Sequence, residues 1–272
     1  MRIQSNRGAC LNQNTNANHD ASQHGESAHQ YELRRYFPSQ SLTQLISQFW
    51  FLRYHFIPPA SRQQTRMPDP HFHLVFENGQ LDLVGPASKA KEYEVSGQNE
   101  VLGVKFNIGA LIPWLDEQPE HFIDKTLPAA DVLPIDTQGL INALQQAGSD
   151  EQRVMAYQAY LTLLNTNPSN TLLKIRSLIE HIQSSPNLVN ITQLMQQCRE
   201  SPDAVEASFT QYVGFSPAWI IKKCRLPAAL HQLNKQQVSI DELVDSMEYP
   251  DQFQLIRDFK EMLGVIPKDH PC

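Results

Sequence analysis

The feature that most restricts this chain is a repeat near its end. ITQLMQQCRESPDAVEASFTQYVGFSP, Ile191 to Pro217, and IDELVDSMEYPDQFQLIRDFKEMLGVIP, Ile240 to Pro267, share one plan. Each holds a short apolar helix, a tight junction, a second helix with a central Phe, and a Gly-x-x-Pro ending. Phe209 thus corresponds to Phe259, Gly214 to Gly264 and Pro217 to Pro267. The start signals recur too. Ser201-Pro202 and Ser216-Pro217 each set an N-cap hydroxyl before a proline at the first helical position. Ser239 to Glu242 has capping-box spacing, and Asp251 is placed to cap the last helix. Two short helices meeting at a sharp angle bury a small core and leave the outside of the second helix free. The spacing therefore predicts two helix-turn-helix units on one long helix from Ser216 to about Leu233.

The surrounding pattern completes an α+β chain. In TLLKIRSLIEHIQ, Leu172, Ile175, Ile179 and Ile182 fall on one helical face. In the last helix Phe253, Ile256 and either Phe259 or Lys260 are three or four apart, and the aromatic members are expected to face inward, before Gly264 ends it. Asn165-Thr-Asn-Pro-Ser-Asn170 is the best domain boundary. Upstream the period changes. ISQFWFLRYHFI, Ile46 to Ile57, reads as a strand stopped by Pro58-Pro59. HFHLVFENGQLDLVG reads as a hairpin about Asn78-Gly79, and Val101 to Phe106 as another strand. Two helices joined around Gly148-Ser149 follow, between Asp136 and Leu164. Expected units are a disordered tail over 1–30, a mixed β-containing sensor domain over 31–165, and an all-α domain of two helix-turn-helix units over 166–272. The tail is Asn/Gln/His/Ser-rich and has too few apolar groups to offset the entropy of ordering.

Composition narrows the function. A net charge of -7 argues against a nonspecific nucleic-acid coat but leaves room for a local basic patch. The four cysteines, Cys10, Cys198, Cys224 and Cys272, have neither zinc-knuckle nor disulfide-framework spacing. Cys198 and Cys224 read as reduced core thiols. No apolar run reaches membrane-spanning length, and the start lacks a signal peptide's apolar core, so a cytoplasmic location is expected. His71 and His73 alternate along an expected strand, with His55 in an earlier one. No nucleophile motif accompanies them, and such a pair is more often a polar rim than a metal site. The expectation is a protein that is not an enzyme, with no cofactor and no metal.

From about Thr171 to Pro267 the chain resembles the double helix-turn-helix domain of the AraC/XylS family of transcription regulators. The second unit carries Ile240, Leu243, Tyr249, Asp251, Phe253, Arg257, Phe259, Lys260, Gly264 and Pro267 of that pattern. The first unit carries Leu194, Ser201, Phe209, Gly214 and Ser216, and the linking helix Arg225, Ala229 and Leu233. MPDPHFHLVFENG, Met67 to Gly79, and LGVKFNIGALIPWL, Leu102 to Leu115, are similar to the sensor domain of one branch. The resemblance implies a sensory or dimerising front domain. The departures are specific. PDAVEASFTQYV contains no Lys or Arg, and Ala207 and Thr210 stand where the family usually has Arg and Lys. Met195, Arg199, Glu200, Val244 and Glu248 alter the two junctions, Pro227 interrupts the linking helix, and KDHPC lacks the usual Tyr-Arg. From Thr171 to Cys272 ten Lys/Arg face twelve Asp/Glu, a net of -2 and few cations for phosphate.

The expected function is a sequence-specific DNA-binding transcription regulator of the AraC type, modulated by an effector or partner through its front domain. Double-stranded DNA is the expected partner, with a small molecule or protein as effector, no membrane, and a homodimer as the candidate assembly. Gln252, Gln254 and Arg257 are the candidate base-edge or backbone contacts. Lys260, Lys222, Lys223 and Arg225 are candidates for phosphate, Arg225 having an internal salt bridge as a rival role. Ser201, Phe209, Gly214, Pro217, Asp251, Phe259, Gly264 and Pro267 are structural. Trp50, His71, His73 and Trp114 are candidates for a ligand pocket. The alternative is a degenerate AraC-like protein-interaction module or co-regulator with weak or no independent DNA binding, which the acidic first reading helix favours.

Overall fold

The computed structural model describes residues 30–185, 190–195, 201–235 and 237–267. The tail expected over 1–30 (save its last residue), Cys10, Cys198, Cys272, the Arg199-Glu200 junction and the KDHPC end lie outside the described residues.

The fold is α+β. Its front half is one antiparallel sheet of β1 (Gln30–Tyr36), β2 (Ile46–Arg66), β3 (His73–Glu77), β4 (Gln80–Val84), β5 (Lys91–Phe106) and β6 (Thr126–Pro128). The spatial order is β1-β2-β5-β3-β4-β6. Strict alternation along the strands separates two faces. Phe49 and Phe51 of β2, Leu74 of β3, Leu83 of β4 and Leu102, Val104 and Phe106 of β5 point to one side and are buried. There they meet three helices, α1 (Ala129–Val132), α2 (Thr137–Gln146) and α3 (Asp150–Leu161), through Ala129, Leu140, Leu144, Val154 and the fully buried Tyr157. The opposite face lines a cavity.

β2 does not stop at Pro58-Pro59 as expected. It runs on to Arg66, and the register shifts between Phe56, paired with Gly97, and Ser61, paired with the adjacent Ser96. A proline has no N–H to give a ladder, so a register shift is where a strand tolerates it. The hairpin at Asn78-Gly79 joins β3 to β4.

The rear half is helical: α4 (Asn170–Ser184), α5 (Ile191–Met195), α6 (Pro202–Val213), α7 (Pro217–Asn234), α8 (Ile240–Ser246) and α9 (Gln252–Leu263). Leu172, Ile175, Ile179 and Ile182 are the buried face of α4. The front unit, α5 with α6, closes on Leu194, Val205, Phe209 and Val213. The rear unit, α8 with α9, closes on Ile240, Leu243, Leu255 and Phe259. Trp219 of α7 packs against both clusters and stacks on Phe215 at 3.8 Å between ring centroids. Helix α7 continues through Pro227, which is exposed. Among the described residues no helix is long and apolar enough to cross a membrane.

Candidate functional site

Helix α9 is held from within and presents an open edge. Asp251 caps it by accepting from Gln254 N at 2.8 Å, and Leu255, Phe259, Met262 and Leu263 are its buried side. Phe253, Arg257 and Lys260 stand exposed, and Gln252 is half-buried beside them. Phe253 departs from the inward orientation expected: it is 71% exposed, whereas Phe259 is completely covered. Leu255, two residues on, is fully buried, and two residues are about 200° apart around an α-helix, so the ring at 253 falls on the outer face.

Three expected contacts have inward duties. Gln254 Nε2 donates to Asp258 Oδ1 at 3.0 Å, and Lys222 Nζ lies 2.7 Å from Asp258 Oδ2. Tyr249 also donates to Asp258 at 2.8 Å, so this buried carboxylate ties α7, the α8–α9 junction and α9 together. Arg225, expected on phosphate or in a salt bridge, is 8% exposed. Its guanidinium donates to the carbonyls of Ile182 and Ser185 at the end of α4, where the last carbonyls of a helix have no partner within the helix. Lys223 is half-buried on α7.

Helix α6 has the same frame and a different exterior. Ser201 accepts from Ala204 N at 3.3 Å, and Val205, Phe209 and Val213 face in. Asp203, Glu206, Ala207, Thr210 and Gln211 face out, and with Gln118 of the sheet domain they line a shallow depression. Both second helices end on left-handed glycines, Gly214 at φ 79° and Gly264 at φ 71°, a conformation that costs other residues strain. Both glycines also lie against the front domain. A side chain at 214 would meet Glu120 N at 3.0 Å, and one at 264 would meet Thr65 at 3.3 Å. Pro217 and Pro267 are buried just beyond them.

The second site is the cavity on the open face of the sheet, of about 490 Å³. Trp50, His73, Val75, Val101 and Lys105 are among its lining, with Tyr54 and Tyr93 nearer the mouth. Trp50 can lie across β5 because its ladder partner is Gly103, where a Cβ would fall 2.0 Å from the indole. At the floor Asp69 receives Lys105 Nζ at 2.8 Å, His73 Nε2 at 3.1 Å, and His71 Nδ1. Trp50 Nε1 donates to His73 Nδ1 at 3.1 Å, which makes Nδ1 the acceptor and Nε2 the proton-bearing nitrogen. Burial pushes the His71 imidazole down to about 4, and Lys105 pushes the same way; burial also lowers His73. Burial alone would raise Asp69, but Lys105 and the imidazoles outweigh it and hold this carboxyl well below the usual range. The floor is thus one ion pair with two neutral imidazoles.

The four expected pocket residues do not all meet there. Trp50 and His73 line the cavity, and His71 reaches it only through Asp69. Trp114 lies elsewhere, in a 3-10 turn packed on the opposite core, its Nε1 donating to Leu164 O at 3.1 Å. Asp69 and Lys105 were missed. A single lysine inside the apolar strand VLGVKF was the available signal, because a lysine is rarely buried unless paired.

A family model described as a domain of unknown function, DUF6597, matches residues 34–128, a span that takes in most of the sheet. No curated protein matches. Among solved structures, a crystal structure of apo ToxT from Vibrio cholerae strain SCE256 is similar over 81% of this chain and 96% of that chain. The two are 10% identical with a TM-score of 0.37, a likeness too loose to carry either architecture or activity across.

Proposed function

We propose that the chain is a DNA-binding transcription regulator of the AraC type that grips a duplex chiefly through α9, with its sheet domain receiving an effector or partner. One observation carries the reading. Helix α9 is capped, cored and anchored at its far end, yet leaves Gln252, Arg257 and Lys260 along an accessible edge. A guanidinium at such an edge can bridge two acceptors of guanine, and an amide can do the same with adenine. Lys260 suits a phosphate. The reading is tested by anisotropy titration of the full chain with duplexes selected from genomic fragments, across salt concentrations. Binding is expected to weaken with salt, and Lys260→Ala to lower the slope by about one counterion. Absence of salt-dependent binding overturns it.

A second reading has its own support. The exterior of α6 carries Asp203 and Glu206 and no cation, and Arg225 and Lys222 are engaged within the protein. These features favour a co-regulator that keeps the fold as a protein-interaction surface. The same titration decides between them.

A further inference from the structure

The cavity floor leaves one kind of valence open. Asp69 already receives three donors, and both nitrogens of His73 are used. An ammonium has three N–H groups, and one from Lys105 is placed on Asp69. The Lys105 side chain is 6% exposed and lines the cavity, where an occupant can reach its other donors. What enters must bring an acceptor. A second carboxylate there would face the ionised Asp69 at short range, and the other cations of the lining, Arg35 and Arg66, are matched by Glu77 and Glu94. A carbonyl oxygen meets no such opposition. Around it Trp50, Tyr54, Val75, Val101 and Tyr93 offer flat and aliphatic surface.

The wall of the same cavity is the dock of α9. Thr65, Arg66 and Met67 line it from inside. On the other side Thr65 lies against Gly264, and Met67 packs into the cluster built on Leu255 and Phe259. The adjoining strand end adds a backbone bond, Ala90 N donating to Glu261 O at 2.6 Å.

We propose that this cavity binds a small uncharged molecule with an apolar, flat body and one carbonyl acceptor received by Lys105, and that its occupancy reaches α9 through Thr65–Met67. The first half stands alone; the second rests on the regulator reading. The test uses the full chain with 2-acetylnaphthalene as probe, and 2-ethylnaphthalene and 2-naphthoate as matched controls, by calorimetry. The acetyl compound is expected to bind one to one, each control about tenfold more weakly. Lys105→Met should erase the difference between acetyl and ethyl. Should that variant not fold, Tyr93→Ala, at an exposed rim position, is expected to weaken the acetyl compound about threefold. No binding by the acetyl compound, equal binding of all three, or binding untouched by the folded variants overturns the ligand assignment. Amide hydrogen exchange at Ala90 and over 252–263 is expected to change on adding the acetyl compound, and unchanged exchange overturns the route. Failure of the unliganded chain to bind DNA would sink the regulator reading and leave the cavity result intact.

Discussion

The two helix pairs of the rear half, α5 with α6 and α8 with α9, are built alike and dressed differently. Each has a capped second helix, a central buried Phe and a left-handed glycine resting on the front domain. Outside, α6 shows Asp203 and Glu206, whereas α9 shows Arg257 and Lys260. The frame and the exterior are therefore separable: the first follows from apolar spacing and end signals, the second from the charges of exposed side chains. Retention of one says nothing about retention of the other.

Substitution in the two cores is the largest way to challenge that likeness. Phe209→Ala and Phe259→Ala should each destabilise by about 3–5 kcal/mol in urea unfolding, because both rings are fully covered. A marked difference between the two would break the equivalence of the frames. Next is the buried tie found in the rear unit. Asp258→Ala is expected to destabilise by about 2 kcal/mol, less than for a fully buried pair since Lys222 remains 35% exposed. On the exteriors, Arg257→Ala should weaken binding to selected duplexes by about 1–2 kcal/mol. Glu206→Gln should alter it less than about threefold, and a tenfold gain would bring α6 onto the DNA. The caps come next, with Ser201→Ala and Asp251→Ala each expected to destabilise by about 1 kcal/mol. Phe253→Ala is the smallest in stability, within about 0.5 kcal/mol, since its ring is mostly exposed.

How much of this was legible in the sequence differs between the halves. In the rear half helix ends were readable because they are local: Ser201, Ser216, Ser239 and Asp251 all accept the backbone bond their position implies. Phe253 misled because its spacing from Ile256 suggested a shared inward face, whereas the first turn buries Leu255, about 200° around the helix from it. Arg225 was read with an internal partner as one of two roles, but which helix supplies the partner of Arg225 or Lys222 lies beyond any local pattern. In the front half the Asn78-Gly79 hairpin was legible, while the run of β2 past Pro58-Pro59 was not, since the shift that admits the prolines belongs to the pairing with β5. The cavity was half legible. Trp50 and His73 stood out by type, but Asp69 and Lys105 acquire meaning only when residues 36 apart in sequence close on each other.

Helix α7 sends Lys222 to the rear unit and Arg225 to the end of α4, so two neighbouring side chains on one rod grip opposite bodies. An α-helix advances by about 100° per residue. One residue inserted between those grips would swing one body around the rod by that angle and release a tie, whereas a change at Pro227, past both, leaves them in phase. The rod therefore works as a key cut to one rotation, and the stretch beyond Arg225 is held to it as well, because Leu226 and Ala229 enter the rear core.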